Sequence, residues 1–147
     1  MDYTAIATAL AARYAAAQMT APTGYSAIRL STFQPPEDVP PLPCVIVFPP
    51  ELGTFESGNG TRTGAHDWTV RLMYDQAGDL ARQSAALLLW ASVFVDQLKA
   101  SVTLSGTVVT AVLTGYRIGF FSYADKMYAG IEGIVHIVTS EAWSATA

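Results

Sequence analysis

Seven of the chain's eight prolines lie between Pro35 and Pro50, and four glycines follow between Gly53 and Gly64. Proline fixes φ and lacks a backbone N–H, so no strand runs through Pro35 to Pro43 or continues past Pro49 and Pro50. Glycine opens the φ > 0 region that turns use. The tract therefore predicts a stiff arm from Gln34 to Pro43, one short apolar strand over Cys44 to Phe48, and a pliable loop from Gly53 to Gly64. Long loops in a compact domain are usually functional when ordered. No catalytic constellation lies in or beside these two, so partner contact is their expected role.

The remaining sequence must supply the core. A chain of 147 residues fits one domain, 1–147, and chains of this size bury roughly 68–70% of their unfolded surface. Charged residues make up 14% of it, against about 25% in an ordinary soluble domain. Mean hydropathy is +0.30. So little charge leaves broad apolar patches on a monomer, which reads as self-association or docking; an alanine-rich monomer surface is the plainer alternative. The net charge of −4, with only eight scattered basic residues, argues against gripping nucleic acid. The single cysteine, Cys44, has no internal disulfide partner and lies in an apolar run, so burial is expected. No signal-like leader opens the chain, and the longest apolar stretch, Ala85 to Val95, is short of the ~20 residues a membrane helix needs. The expected setting is a reducing cytoplasm, or a particle assembled there, with no membrane partner.

Periodicity outlines the elements. Asp2 is placed to cap a helix running to about Gln18, with Ile6, Leu10 and Tyr14 on one face. Tyr25 to Phe33 reads as a strand. His66 to Asp75 alternates, with Trp68, Val70, Leu72 and Tyr74 on one face and Thr69, Arg71 and Met73 on the other. Gly78 and Asp79 end that strand and cap a helix from about Leu80 to Lys99. Its run Leu87, Leu88, Leu89, Trp90 wraps more than half of the circumference, so either the fold covers both sides or a neighbouring subunit covers one. Thr107 to Phe121 and Met127 to Thr139 read as an antiparallel hairpin turning at Ser122 to Lys126, its second strand apolar on both faces and therefore central. Gly115, Gly119, Gly130 and Gly133 suggest bulges or strong twist there. The sum is an α+β fold: a mostly antiparallel or mixed twisted sheet of about five strands, packed by two helices, with long Pro-rich and Gly-rich loops.

Chemistry is poorly supplied. Gly53 to Gly64 lacks the Gly-Lys-Ser/Thr ending of a phosphate loop, and Asn59-Gly60-Thr61 is a glycosylation sequon without a secretion signal. His66, His136 and Cys44 give no zinc spacing. Asp75 and Asp79 could hold a cation, but a turn former and a helix cap explain them better. His66 beside Asp67 has no nucleophile elbow to serve. No catalytic residue, cofactor or metal is expected. An enzyme would need dispersed carboxylates, Asp75, Asp79 and Glu132, to converge in one pocket. Trp68, Trp90 and Trp143 lack interleaved basic residues and read as core or interface aromatics. Phe120, Phe121, Tyr123, Met127 and Tyr128 cluster at the hairpin tip, which is either a docking surface or folded onto the domain.

The order of parts, with Pro41-Leu-Pro-Cys-Val-Ile-Val-Phe-Pro49 between the first strands and Tyr128-Ala-Gly-Ile131 in the closing hairpin, resembles the small neck proteins of long-tailed bacteriophages, in particular tail terminators. The resemblance spans nearly the whole chain. It implies an α/β domain that forms a homo-hexameric ring at the head-proximal end of the tail tube, ends tube polymerisation and meets the head-closure or connector protein. It also implies a place in the virion neck, assembled in the host cytoplasm, with DNA passing through the lumen without specific contact. Head-closure and connector adaptor proteins share this size and layout and form the alternative; a binding module unrelated to phage ranks below both. No residue is catalytic in such a protein. The expected contact residues are Pro35, Pro36, Pro40 and Pro41 of the arm, Phe55, Asn59 and Arg62 of the glycine-rich segment, Trp90 of the long helix, and Phe121, Tyr123 and Met127 at the hairpin.

Overall fold

Helix α1, Tyr3–Arg13, begins where the Asp2 carboxylate accepts from the backbone N–H of Ala5 at 3.0 Å, as expected of a cap. The computed structural model describes residues 2–38 and 40–142. α1 is followed by β1 (Leu30–Thr32), β2 (Cys44–Phe48), β3 (Gly53–Ser57), β4 (Thr61–Gln76), α2 (Leu80–Phe94), a 3₁₀ turn (Gln97–Ala100), β5 (Thr110–Tyr123) and β6 (Lys126–Ala142). Trp143 lies outside the described residues.

The class is α+β, a mixed six-stranded sheet packed by two helices. Its order is β1-β2-β4-β6-β5, and β3 also pairs with β4. The β1–β2 pair is parallel and every other pair antiparallel. β2 and β3 share one edge of β4: Phe48 lies opposite Thr69 and Gly53 opposite His66. Pro49 and Pro50 interrupt what would otherwise be one strand, because neither can donate to the ladder. β6 is central, between β4 and β5.

Both helices pack one face of the sheet. Ile6 and Leu10 of α1, Tyr14 at its C-cap, and Leu87, Trp90 and Phe94 of α2 enclose Val45, Val47, Val70, Leu72, Ile131, Val135 and Ile137. Gly130 and Gly133 of β6 are demanded by space: a Cβ at Gly130 would lie 2.1 Å from the Leu72 carbonyl oxygen, and one at Gly133 would meet Leu113 and Phe94 at 2.7 and 2.8 Å. The opposite face is open except at one end, where Cys44, Ile46, Met73 and Tyr128 form a second buried cluster edged by Leu30, Leu42, Phe48 and Tyr123.

Several expectations are corrected. α1 stops at Arg13, short of Gln18, and tight turns follow. Tyr14 and Met19 are both fully buried; on a straight helix, side chains five residues apart would diverge by about 140°, so the turns are what bring both inward. Of Tyr25 to Phe33 only Leu30–Thr32 pairs. α2 ends at Phe94, and Lys99 falls in the 3₁₀ turn. The last hairpin starts at Thr110 and turns through Ala124 and Asp125, both at positive φ. Of the four glycines suspected of bulging it, two adjoin register shifts: Gly115 at the one between Leu113 and Gly115, and Gly130, opposite Met73, at the one between Met73 and Asp75 of β4; Gly119 and Gly133 adjoin neither. The largest difference is at Gly53 to Gly64, which is a β-hairpin and not a pliable loop. Gly60 takes φ 75° at its turn, and Gly58 N–H donates to the Thr61 carbonyl at 2.9 Å.

Candidate functional site

Along β4 and β6, the side chains on the open face pair across the strands. Arg71 of β4 is opposite Glu132 of β6, which is opposite Arg117 of β5. Arg71 donates from Nε and Nη2 to Glu132 Oε2 at 2.9 and 2.7 Å, and Arg117 Nη2 reaches Oε1 at 3.3 Å. Both guanidiniums lie over the Phe121 ring, at 5.2 and 4.8 Å, and Arg71 also over Phe48 at 5.0 Å. On the same face, beyond the row of Thr69 and Ile134, His136 Nδ1 is 2.8 Å from Asp67 Oδ1. Of these, Phe48, Asp67, Arg71 and Glu132, with Pro49, Glu51, Leu52 and Thr69, line an open cleft of about 540 Å³.

This cleft is furnished for structure. Arg71 and Glu132, both mostly buried, and the more exposed Arg117 satisfy one another in a network that offsets the solvation the buried pair loses. The three carboxylates an enzyme would need do not converge. Asp75 accepts from Gln76 N–H and, at 3.5 Å, from Gln83 Nε2; Asp79 caps α2 by accepting from Ala81 N–H; Glu132 is held between the arginines. Among the described residues no three of His, Cys, Asp and Glu are grouped to hold a metal ion. Cys44 is fully buried, and burial pushes its thiol up to about 11, which leaves it a poor nucleophile.

The expected contact residues separate into three sets. Pro35, Pro41, Phe55, Asn59 and Met127 are exposed, and Phe55 and Asn59 sit on the β3–β4 hairpin. Pro36 and Tyr123 are half-buried and tied together, the Tyr123 hydroxyl donating to the Pro36 carbonyl, so the proline arm closes over the second cluster. Arg62 is also engaged within the chain: its guanidinium lies 4.5 Å above the Phe55 ring, and its Nε donates to Glu141 at 2.7 Å. Three expectations are overturned. Trp90 is fully buried beneath α2, Phe121 is buried under the two arginines, and Pro40 is buried in the arm. None of these three side chains reaches a partner in this fold.

What the sequence reading missed is the exposed row on the far half of β5, of which it singles out only Phe120, in the hairpin-tip cluster. Tyr116, Ile118 and Phe120 lie opposite Gly133, Ile131 and Ala129, on the helix-packed side of the sheet, yet are 55%, 39% and 36% exposed. The 3₁₀ turn and the segment after it cover only the start of β5, where Ala111 N–H donates to the Val102 carbonyl at 2.6 Å. β5 is moreover an edge strand, paired among the described residues with β6 alone. α2 adds two more apolar side chains in solvent, Leu88 and Leu89, while Leu87 and Trp90 turn inward. The alternation Tyr116, Ile118, Phe120 was visible in the sequence; that no helix would cover it was not.

No family model matches this chain, and a search of curated proteins finds no match either.

Proposed function

We propose that the protein is a structural ring-forming assembly protein of the tail-terminator kind: a homo-hexamer that ends tail-tube polymerisation in the neck of a long-tailed phage and joins the tube to the head-closure or connector protein. The observation that carries this reading is the uncovered apolar stretch Tyr116, Ile118 and Phe120 on an unpaired edge strand, in a chain of only 14% charged residues. A monomer seldom leaves such an edge open, because unpaired strand edges invite addition and are normally blunted by charge, proline or a cover. β5 has one charged residue, Arg117, no proline, and, among the described residues, no cover beyond its start. The paired charges of the open cleft and the inert Cys44 are consistent with a geometric role.

The test is tube growth. Tail-tube protein polymerised with and without this chain, imaged by negative-stain electron microscopy, is expected to give tubes of limited length with a ring at one end. Tubes that grow unchanged and bare would remove the terminator role, and attachment to the connector alone would move the protein to the head-closure class.

A further inference from the structure

The sheet has a second open edge. Among the described residues β3 pairs with β4 alone, and all five of its residues are exposed. It runs antiparallel to β4, and β4 runs parallel to β5 through β6, so β3 and β5 point in opposite directions at opposite sides of one sheet. A neighbour rotated so that the same face stays outward would bring its β3 antiparallel to this β5. That is a heterologous join, the kind that closes rings.

Side-chain parity then selects a register. The one charged residue of β3 is Glu56 and the one charged residue of β5 is Arg117. Glu56, opposite Thr63, lies on the open face, and so does Arg117, opposite Glu132. With Glu56 facing Arg117 across the join, antiparallel pairing puts Phe55 against Ile118 on the helix-packed face, Thr54 against Gly119, and Gly53 against Phe120. Each facing pair shares a face. Opposite charges meet on one side, and exposed apolar groups meet on the other, with an aromatic over a strand glycine. Joining β5 to β5 centred on the same residue would instead oppose Arg117 to itself.

The register is staggered, because within one copy Gly53 shares its row with Ala111. Two features require that stagger. The start of β5 is already taken by Val102, and on the neighbour β1, paired outside β2, projects beyond the edge that β2 and β3 share, so it clears β5 only if it passes the hairpin tip. As in a barrel, stagger is absorbed by tilting the strands against the ring axis.

We propose that the β3 edge of one copy adds to the β5 edge of the next, antiparallel, with Glu56 opposite Arg117. This rests on the ring reading above and names its joint. The test uses two full-length variants, Phe55→Lys and Ile118→Lys, each at an exposed position, with circular dichroism to confirm native folding. By native mass spectrometry the native chain is expected to form a closed oligomer, and each variant alone to weaken self-association roughly tenfold or more. Mixed, the variants are expected to give a one-to-one heterodimer that grows no further, since one intact β3 edge and one intact β5 edge remain. A Phe55→Lys variant that assembles like the native chain, a mixture that stays monomeric, or a native chain monomeric over its whole soluble range would each overturn the join. If the variants assemble normally and still cap tubes, the ring reading survives without this joint; if the native chain assembles by this joint but leaves tubes bare, the joint survives without the terminator role.

Discussion

His66 shows how one side chain sets a pH limit on the fold. It is buried, its Nδ1 accepts from Trp68 Nε1–H at 2.9 Å, and Tyr3 stacks near it with ring centroids 5.5 Å apart. Burial lowers its pKa, the nearby His136 lowers it further, and Asp67 opposes both. A lowered folded value means that the unfolded chain takes up the proton first. Stability is therefore expected to be flat above the ordinary histidine value of about 6.5 and to fall as pH drops below it. Urea midpoints from pH 8 to pH 5 measure this. The dependence should weaken in His66→Gln, and an unchanged slope in that variant would assign it elsewhere. Gly130 is a second residue-scale claim. Gly130→Ala drives a methyl into the Leu72 carbonyl and should cost about 3 kcal/mol or more, whereas Gly119→Ala, with nothing within 4 Å, should change stability by less than about 1 kcal/mol. Equal denaturation midpoints for the two would contradict the close packing of β4 on β6.

Elements were legible where local signals agreed. Asp2 and Asp79 cap the two helices as expected, and the alternation of Trp68, Val70 and Leu72 marks a strand with a buried face. The apolar second strand of the last hairpin is central, as its two-sided pattern required. The glycine-rich segment was misread because its glycines, which strands disfavour, outweighed its strand-favouring threonines in the reading; pairing with β4 and the Arg62–Phe55 contact overrode the glycines. The run Leu87 to Trp90 was correctly recognised as too wide for one sheet, but only tertiary structure decides that Leu87 and Trp90 turn in while Leu88 and Leu89 turn out. The β5–β6 turn is built from residues poorly suited to it, with Ala124 at φ 49° and Asp125 at φ 64°. Replacing them by Asn and Gly, which favour this two-residue geometry, is expected to raise stability by about 1 kcal/mol, read from the thermal midpoint. A drop would mean that the turn is shaped by contacts beyond its own backbone.

At the scale of the whole molecule, the candidate surface was only half legible. The chain's low charge foretold exposed apolar area, and Phe55, Asn59 and Met127 are in solvent as expected. Trp90 and Phe121 were misplaced because large aromatics serve cores and interfaces alike, and sequence spacing does not say which side of an element will be covered. The uncovered half of β5 arises from where the chain after α2 happens to pack, a long-range fact with no local signature. Two open edges, apolar on one face and oppositely charged on the other, make self-association the central physical claim about this protein. Native mass spectrometry of the native chain across a concentration series addresses it directly. A closed oligomer of fixed subunit number, about six copies as a ring of heterologous joins allows, is the predicted result; a monomer at every concentration would contradict it.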